Sequence, residues 1–266
     1  MEGVVTRMKL SSRLQHIADR LPPGCRFADI GSDHALLPVW AVKHEAALSA
    51  VAGEVNDGPL KAAKRQVAEA GLGQRIAVRR GDGLQVIDSG EVDTITIAGM
   101  GGALIASILE AGQDKLAGVK RLILQPNVGE ELVRRWLLDH DWYVTDETIL
   151  EEDGKIYEII TADAVPDASK LNEELYKERP LQQGKDDAAS KLSLTKELLL
   201  LLGPRLAAEA SDVFLEKWNS EIVKLERIHH SVAASQLSAS QDKAQELSLM
   251  IKQLKGVLAC LPKVRR

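Results

Sequence analysis

Phe27-Ala28-Asp29-Ile30-Gly31-Ser32-Asp33-His34-Ala35 is the stretch that decides the fold. Its first half, residues 26–30, reads as a short buried strand. Gly31 opens a tight turn, and a helix is expected from Ala35 or Leu36 to about His44. A strand, a glycine turn and a helix make the opening unit of a nucleotide-binding α/β sheet. The dinucleotide form of this unit carries G-x-G-x-x-G. Here Asp33 stands at the second-glycine position and Ala35 is the third small residue. A pyrophosphate at the helix N-terminus would be repelled by a carboxylate there. Asp29 and Asp33 instead suit a ligand with positive charge.

Outward from this unit, strands and helices alternate. Ser11 or Ser12 can cap a helix running to about Leu21, stopped by Pro22-Pro23-Gly24. Residues 48–52 form a second apolar run that ends in Gly53-Glu54. Asn56 or Asp57 then caps a helix with Leu60, Ala63, Val67 and Ala70 on one face, and Gly71 terminates it. Strands are expected over 76–79, 92–98 and 121–124, with helices over 103–111 and 130–139. Residues 142–149 and 156–161 are extended runs joined through Asp153-Gly154, a hairpin signal. Residues 1–164 therefore read as an α/β domain, a doubly wound Rossmann-like sheet with an antiparallel edge hairpin. Ligands of such sheets bind beyond the carboxyl ends of the strands.

Past Val165-Pro166 no strand signal remains, and residues 165–266 read as an all-helical domain. Helices are expected over 171–178 and 187–202, with a break at Gly203-Pro204. A long helix follows over 206–232. Trp218, Ile222, Leu225, His229 and Val232 recur at alternating spacings of four and three. Leu247, Met250, Leu254, Val257 and Leu261 do the same in reverse order. Two such seams joined through 235–240 predict an antiparallel helical hairpin with coiled-coil packing. A structural or dimerising arm and a clamp on a large substrate both fit it. The oligomeric state stays open, with a monomer favoured because one chain can satisfy the seam.

The chain has 266 residues, 45% of them apolar, which is ordinary for a globular protein. A formal net charge of −5 argues against a strongly basic nucleic-acid binder, although a local basic patch remains compatible. Aromatics make up only 3%, so base-stacking platforms must be few. Cys25 and Cys260 match no metal or redox spacing, so a reducing, cytoplasmic setting is expected, with Cys25 a small buried hydrophobe. No apolar run is long enough to span a membrane, and residues 1–9 lack a signal core. His16, His44, His140, His229 and His230 make no ligand spacing with other residues, and no metal is expected. No nucleophile elbow and no phosphate-binding G-x-x-x-x-G-K-[ST] loop is present.

Four loops follow strands on the ligand side. Glu54 ends the second strand about twenty residues after the glycine turn, where an acid accepts from both hydroxyls of a ribose. Asp82 follows the third; it suits an exocyclic adenine amine with Gly83 giving the ring room, and a plain Asp-Gly turn equally. Ala98-Gly99-Met100-Gly101-Gly102 follows the fourth. Its glycines cost backbone entropy and permit close approach of a ligand or a positive φ. Gln125-Pro126-Asn127 follows the fifth and supplies amides for a base, or a rigid turn with Asn127 capping the next helix. S-adenosylmethionine, with an ammonium, a sulfonium and no phosphate, is the ligand these acids suit.

These motifs, A-D-I-G-S-D-H-A, V-A-G-E-V, G-D-G-L, I-T-I-A-G-M-G-G and L-I-L-Q-P-N in this order, resemble the TrmK family, the bacterial tRNA (adenine(22)-N1)-methyltransferases. The resemblance spans about residues 10–161, and the helical tail is also like the family's. It implies a class I methyltransferase domain, a helical domain with a coiled-coil part, and methyl transfer from S-adenosylmethionine to N1 of adenine 22 in tRNA. Carried onto this sequence, it implies a first cofactor motif at Asp29, Gly31, Ser32, Asp33 and His34. Glu54 and Val55 fall at the ribose, Asp82 and Gly83 at the adenine. Ala98, Gly99, Met100 and Gly101 fall beside the methyl group. Where the family commonly has Gly-Asn-Gly, this chain has Gly81-Asp82-Gly83, and aspartate accepts from an amine as asparagine does.

Adenine N1 has its own lone pair, so Asp33 is expected as a charge complement rather than a base. Gln125, Asn127 and Tyr157 are expected to position the target base. Arg7, Lys9 and Arg13, the pair Arg134–Arg135, and Lys217, Lys224 and Arg227 are candidates for RNA contacts or plain solvated faces. Another RNA as methyl acceptor and a non-catalytic Rossmann-like binding module are the alternative readings. An NAD-dependent oxidoreductase is disfavoured by Asp33.

Overall fold

The computed structural model describes residues 9–181, 192–234 and 238–262. By contacts the chain divides into two compact units, Met1–Asn172 and Glu173–Arg266.

The first unit is a sheet of seven strands flanked by helices. The strands are β1 (Cys25–Ile30), β2 (Ala47–Glu54), β3 (Ile76–Arg80), β4 (Thr94–Gly101), β5 (Arg121–Val128), β6 (Tyr143–Glu152) and β7 (Lys155–Asp163). Their order is β3-β2-β1-β4-β5-β7-β6. The first five are parallel, and the order reverses between β1 and β4, which puts the ligand side at their carboxyl ends. The hairpin closes one edge as the sequence predicts. The antiparallel strand is β7, beside β5, and β6 lies outermost. Asp153 and Gly154 both take positive φ at the hairpin turn, as the strand twist requires.

The helices are α1 (Ser12–Ala18), α2 (Leu36–Lys43), α3 (Asp57–Glu69), α4 (Gly102–Ala111) and α5 (Glu130–Asp139), and after β7 comes α6 (Ala168–Leu175), which spans the division at Asn172. One buried cluster joins Ile17, Val39, Val42, Ala63 and Val67 of α1–α3 to Phe27, Ala52 and Ile123 of the sheet. Alternate strand residues such as Leu122 and Leu124 are equally buried, and α4 and α5 pack on β4 and β5. Burial also pushes the Cys25 thiol up to about 11, so it behaves as an inert apolar group.

Several boundaries depart from the sequence reading. α1 stops at Ala18, where the amides of Arg20 and Leu21 turn back onto Ile17 and Ala18, and does not run on to Leu21. β4 and β5 continue through Gly99–Gly101 and Gln125–Val128, beyond the strand ends expected at Ala98 and Leu124. The residue before α5 is Gly129, with φ +74, so Asn127 lies in a strand and does not cap that helix.

The second unit holds α7 (Lys196–Leu202), α8 (Pro204–Glu209), α9 (Asp212–Ala233) and α10 (Ser238–Cys260). Leu198, Leu199, Leu200 and Leu202 are buried, as their uninterrupted run requires. The single helix expected over 206–232 is two. Ala210 takes a positive φ, and Ser211 caps α9 by accepting from the Phe214 amide. Helices α9 and α10 pack side by side, and Lys255 reaches Glu226 between them. Trp218, Ile222, Leu254, Val257 and Leu261 lie in buried positions, but Met250 is exposed and Ile251 takes its place. Two short strands, β8 (Arg179–Pro180) and β9 (Ser193–Leu194), pair antiparallel where no strand was expected. The expected helix over 187–202 begins at Lys196, and its residues 187–191 lie outside the described residues, as do 235–237 of the expected connection. Among the described residues no helix is long and apolar enough to cross a membrane.

Candidate functional site

A cavity of about 620 Å³ opens at the carboxyl ends of β1–β5. That size suits a small-molecule ligand. Its lining carries four carboxylates, Asp29, Asp33, Glu54 and Asp82, against one guanidinium, Arg13. The surplus of negative charge favours a cationic ligand and opposes a phosphate.

Asp29 is the last but one residue of β1, beside Thr96 of β4, whose hydroxyl donates to Asp29 Oδ1 at 2.6 Å. Burial pushes the Asp29 carboxyl up to about 6, against the Thr96 hydrogen bond and the positive charge of Arg13. The turn that follows is tightly folded. The amides of Gly31 and Ser32 both donate to the Gly53 carbonyl, at 2.9 and 3.0 Å. Gly31 has φ +71, and the Met100 side chain crosses directly over it. His34 and Ala35 also take left-handed φ values, of 58° and 51°. Such backbone is costly for residues with a Cβ and recurs at ligand-binding turns. Asp33 faces the cavity with His34 Nε2 at 3.4 Å from its carboxylate, and both side chains are exposed.

Glu54 is buried at the end of β2. Its Oε1 accepts from the amides of Val55 and Asn56, both at 2.9 Å. Oε2 has no protein partner among the described residues, so one carboxylate oxygen is oriented and the other is left for a ligand. Asp82 is exposed after β3. A Cβ at Gly83 would stand 3.0 Å from Ile108, so the glycine keeps that wall thin.

The glycine-rich segment is a bulged strand end. The β4–β5 register slips between Ala98 and Met100 and again before Gly101, and Gly99 has φ +78. Two amides fasten this bulge. Gln125, fully buried, accepts from the Gly99 amide at 3.1 Å, and Asn127 Nδ2 donates to the Gly99 carbonyl at 2.9 Å. Gly102 is needed for another reason: a Cβ there would lie 1.9 Å from the Gly129 carbonyl oxygen.

Of the residues singled out from sequence, Asp29, Gly31, Asp33, Glu54, Val55 and Asp82 line the cavity. So do Gly83, Ala98, Gly99, Met100, Asn127 and Tyr157. Ser32, His34, Gly101 and Gln125 are not part of its lining: Ser32 and Gln125 are buried, and the His34 side chain is exposed. Arg13 is the residue whose place the sequence reading missed. Expected as an RNA contact or a plain solvated face, it turns inward. Its Nη1 donates to Gln125 Oε1 at 2.5 Å, and its guanidinium carbon lies 5.4 Å from the Tyr157 ring centroid. Thr96, buried next to Asp29, was also unforeseen. An isolated arginine or threonine carries no signal of such contacts in one sequence.

Arg134 corrects another expectation. It is fully buried, bonded to Glu147 Oε1 at 2.6 Å and to Glu158, and cannot face RNA. Lys9, Arg135, Lys224 and Arg227 are exposed, Lys217 sits half-buried against Trp218, and Arg7 lies outside the described residues. Among the described residues no group of three His, Cys, Asp or Glu is placed to hold a metal ion.

A family model described as TrmK, tRNA (adenine(22)-N(1))-methyltransferase, matches residues 27–256. The tRNA (adenine(22)-N(1))-methyltransferase of Bacillus subtilis (strain 168) is 46% identical over 255 residues, 96% of this chain and 99% of that protein. The crystal structure of the B. subtilis M1A22 tRNA methyltransferase superposes with a TM-score of 0.81 at 45% identity, covering 94% of this chain and 99% of that one. A Streptococcus pneumoniae protein solved in complex with S-adenosyl-L-methionine is 39% identical, with a TM-score of 0.74, and is covered over 100% of its length by 94% of this chain.

Proposed function

The chain belongs to the TrmK family of tRNA (adenine(22)-N(1))-methyltransferases, and from that premise we propose that its cavity binds S-adenosylmethionine and methylates N1 of adenine 22 in cytoplasmic tRNA. The observation that carries the reading is the acidic cavity at the carboxyl ends of β1–β5, with Glu54 Oε2 free and a glycine bulge opposite.

The residues fit the cofactor. A ribose diol would donate to Glu54 Oε2, and the adenine amine to Asp82. The carboxylates of Asp29 and Asp33 compensate positive charge. When bound, the cofactor supplies an electrophilic methyl group on a sulfonium. Adenine N1 carries an in-plane lone pair, so no residue of this chain needs to remove a proton before attack. What the chain supplies is alignment and electrostatics. Positive charge passes from the sulfonium to the base, and Asp33 provides negative charge along that path. Asn127 and Tyr157 border the cavity where the base would enter, and the Gly99 bulge lets it approach closely. The base must leave its stack to get there.

The test is transfer of labelled methyl from S-adenosylmethionine to tRNA, with nucleoside analysis. The reading expects 1-methyladenosine at position 22, and none on a tRNA with another base there. Label on a different nucleoside would discard the target and keep the transferase. Full turnover by both Asp33→Ala and Asn127→Ala would remove the residue roles.

A further inference from the structure

A buried amide is ordered only by what surrounds it, because its two ends have nearly the same shape. Gln125 is ordered by two donors that converge on Oε1: Arg13 Nη1 at 2.5 Å and the Gly99 amide at 3.1 Å. Its Nε2 is thereby turned the other way. There it donates to the Pro126 carbonyl at 2.9 Å and to Asn127 Oδ1 at 3.0 Å. The order is passed on. With Oδ1 accepting from Gln125, the Asn127 Nδ2 donates to the Gly99 carbonyl at 2.9 Å. Asn127 is exposed on the cavity wall, and its amide keeps one lone pair on Oδ1 and one N–H on Nδ2 unused.

Arg13 starts this relay, and it is held from outside its own helix. Its backbone amide donates to Glu152 Oε2 at 3.3 Å, the Ser12 amide donates to Glu152 Oε1, and its guanidinium rests over Tyr157. Glu152 and Tyr157 belong to the β6–β7 hairpin, so the hairpin sets where Arg13 points.

A base methylated at N1 must present that atom with its lone pair free. Recognition then has to use the other edge, where adenine offers N6–H as donor and N7 as acceptor. An oriented amide pairs with that edge through one accepting oxygen and one donating nitrogen. Guanine presents two acceptors there and would set O6 against Oδ1.

We propose that Asn127 reads the N6/N7 edge of the target adenine, and that Arg13 is the positioning residue that sets the Asn127 amide through Gln125. This rests on the adenine-N1 reading above and adds to it the specificity element.

The test uses two tRNAs, one unmodified and one with 7-deazaadenosine at position 22, which lacks N7. They are compared on the wild type, Arg13→Met, Arg13→Lys and Asn127→Ala. The wild type should lose about tenfold or more in kcat/KM on the deaza tRNA. Arg13→Met and Asn127→Ala should be slow on the unmodified tRNA and lose less than about twofold further on the deaza one, since the contact is already gone. Arg13→Lys, which keeps one donor, should recover part of the penalty. Cofactor affinity by calorimetry should stay within about threefold in each variant, because a fold defect would lower it as well. A wild type that treats both tRNAs alike overturns the proposal. So does an Arg13→Met enzyme that keeps the full deaza penalty, or one whose cofactor affinity collapses. A wild type that methylates neither tRNA would sink the functional reading itself, and this proposal with it.

Discussion

Glu54 receives its two backbone-amide hydrogen bonds from the next two residues of the chain. Gln125, across the same cavity, receives its two hydrogen bonds from Arg13 and Gly99. The two walls differ in this way. On the wall from β1, β2 and β3, each acidic group lies at or just past the end of a strand, and Glu54 is arranged by its near neighbours, while Asp29 is bonded across the sheet to Thr96. On the wall from α1, β4, β5 and β7, the contacts that fix the bulge and Arg13 join segments far apart in sequence. The Gly99 bulge is fastened from β5, Arg13 is seated by Glu152 and Tyr157, and the hairpin beneath is tied to α5 by Arg134 between Glu147 and Glu158. The first wall can be perturbed one group at a time. The second should fail as a unit, because its members orient one another.

The largest expected effect lies beneath the second wall. Arg134→Met leaves two buried glutamates without their shared partner and should destabilise the protein by about 3–5 kcal/mol, read by urea unfolding. In whatever remains folded, methyl transfer should fall further than cofactor affinity, since Tyr157 and Glu152 ride on the displaced hairpin. Equal losses would break the distinction between the walls.

Next comes Asp29. Its pKa is raised from 3.8 to about 6, chiefly by burial, so the folded protein holds this proton more tightly than the unfolded chain. The stability it contributes is full below about pH 4 and is lost as pH rises through about 6, by up to about 3 kcal/mol. Asp29→Asn should therefore flatten the fall in stability between about pH 4 and 6 seen in paired urea titrations. The same variant should bind the cationic cofactor more weakly. An unchanged slope would mean the carboxylate is better solvated than its burial indicates.

Glu54→Gln keeps the shape of the side chain and removes the charge. The cofactor Kd should rise about tenfold to hundredfold, with unfolding free energy changed by less than about 1 kcal/mol. A large stability loss would show that this wall is no more local than the other. The smallest effect is expected at Asp82→Asn, which retains an accepting oxygen on an exposed side chain; calorimetry should find the cofactor Kd within about threefold of wild type.

Much of the first wall was legible before folding. Gly31, Glu54 and Asp82-Gly83 each follow a strand whose apolar run is visible, so their place at its carboxyl end follows from the alternation alone. The edge hairpin was legible from Asp153-Gly154 for the same reason: turn chemistry is local. Gly99 announced an unusual backbone, but a loop and a strand bulge need the same positive φ, and only the β5 partner separates them. Arg13 and Arg134 show where such reading ends. Both were placed with basic residues on outward faces, because an arginine on a short amphipathic helix usually is solvated. One turns into the cavity and the other is fully buried. The break at Ala210 was hidden too, since Ser211 reads as an ordinary helical residue until its hydroxyl is seen capping Phe214.

By itself, then, the sequence determined the alternating α/β order, the acidic character of the ligand turn and the family to which those motifs belong. These rest on periodicity, glycine and charge, which act over a few residues. Tertiary structure alone decided which arginine enters the cavity, which is buried between glutamates, and which way the amides of Gln125 and Asn127 face. Those choices depend on partners more than a hundred residues away for Arg13 and Gln125, and a side chain without charge asymmetry or turn preference carries no local trace of them.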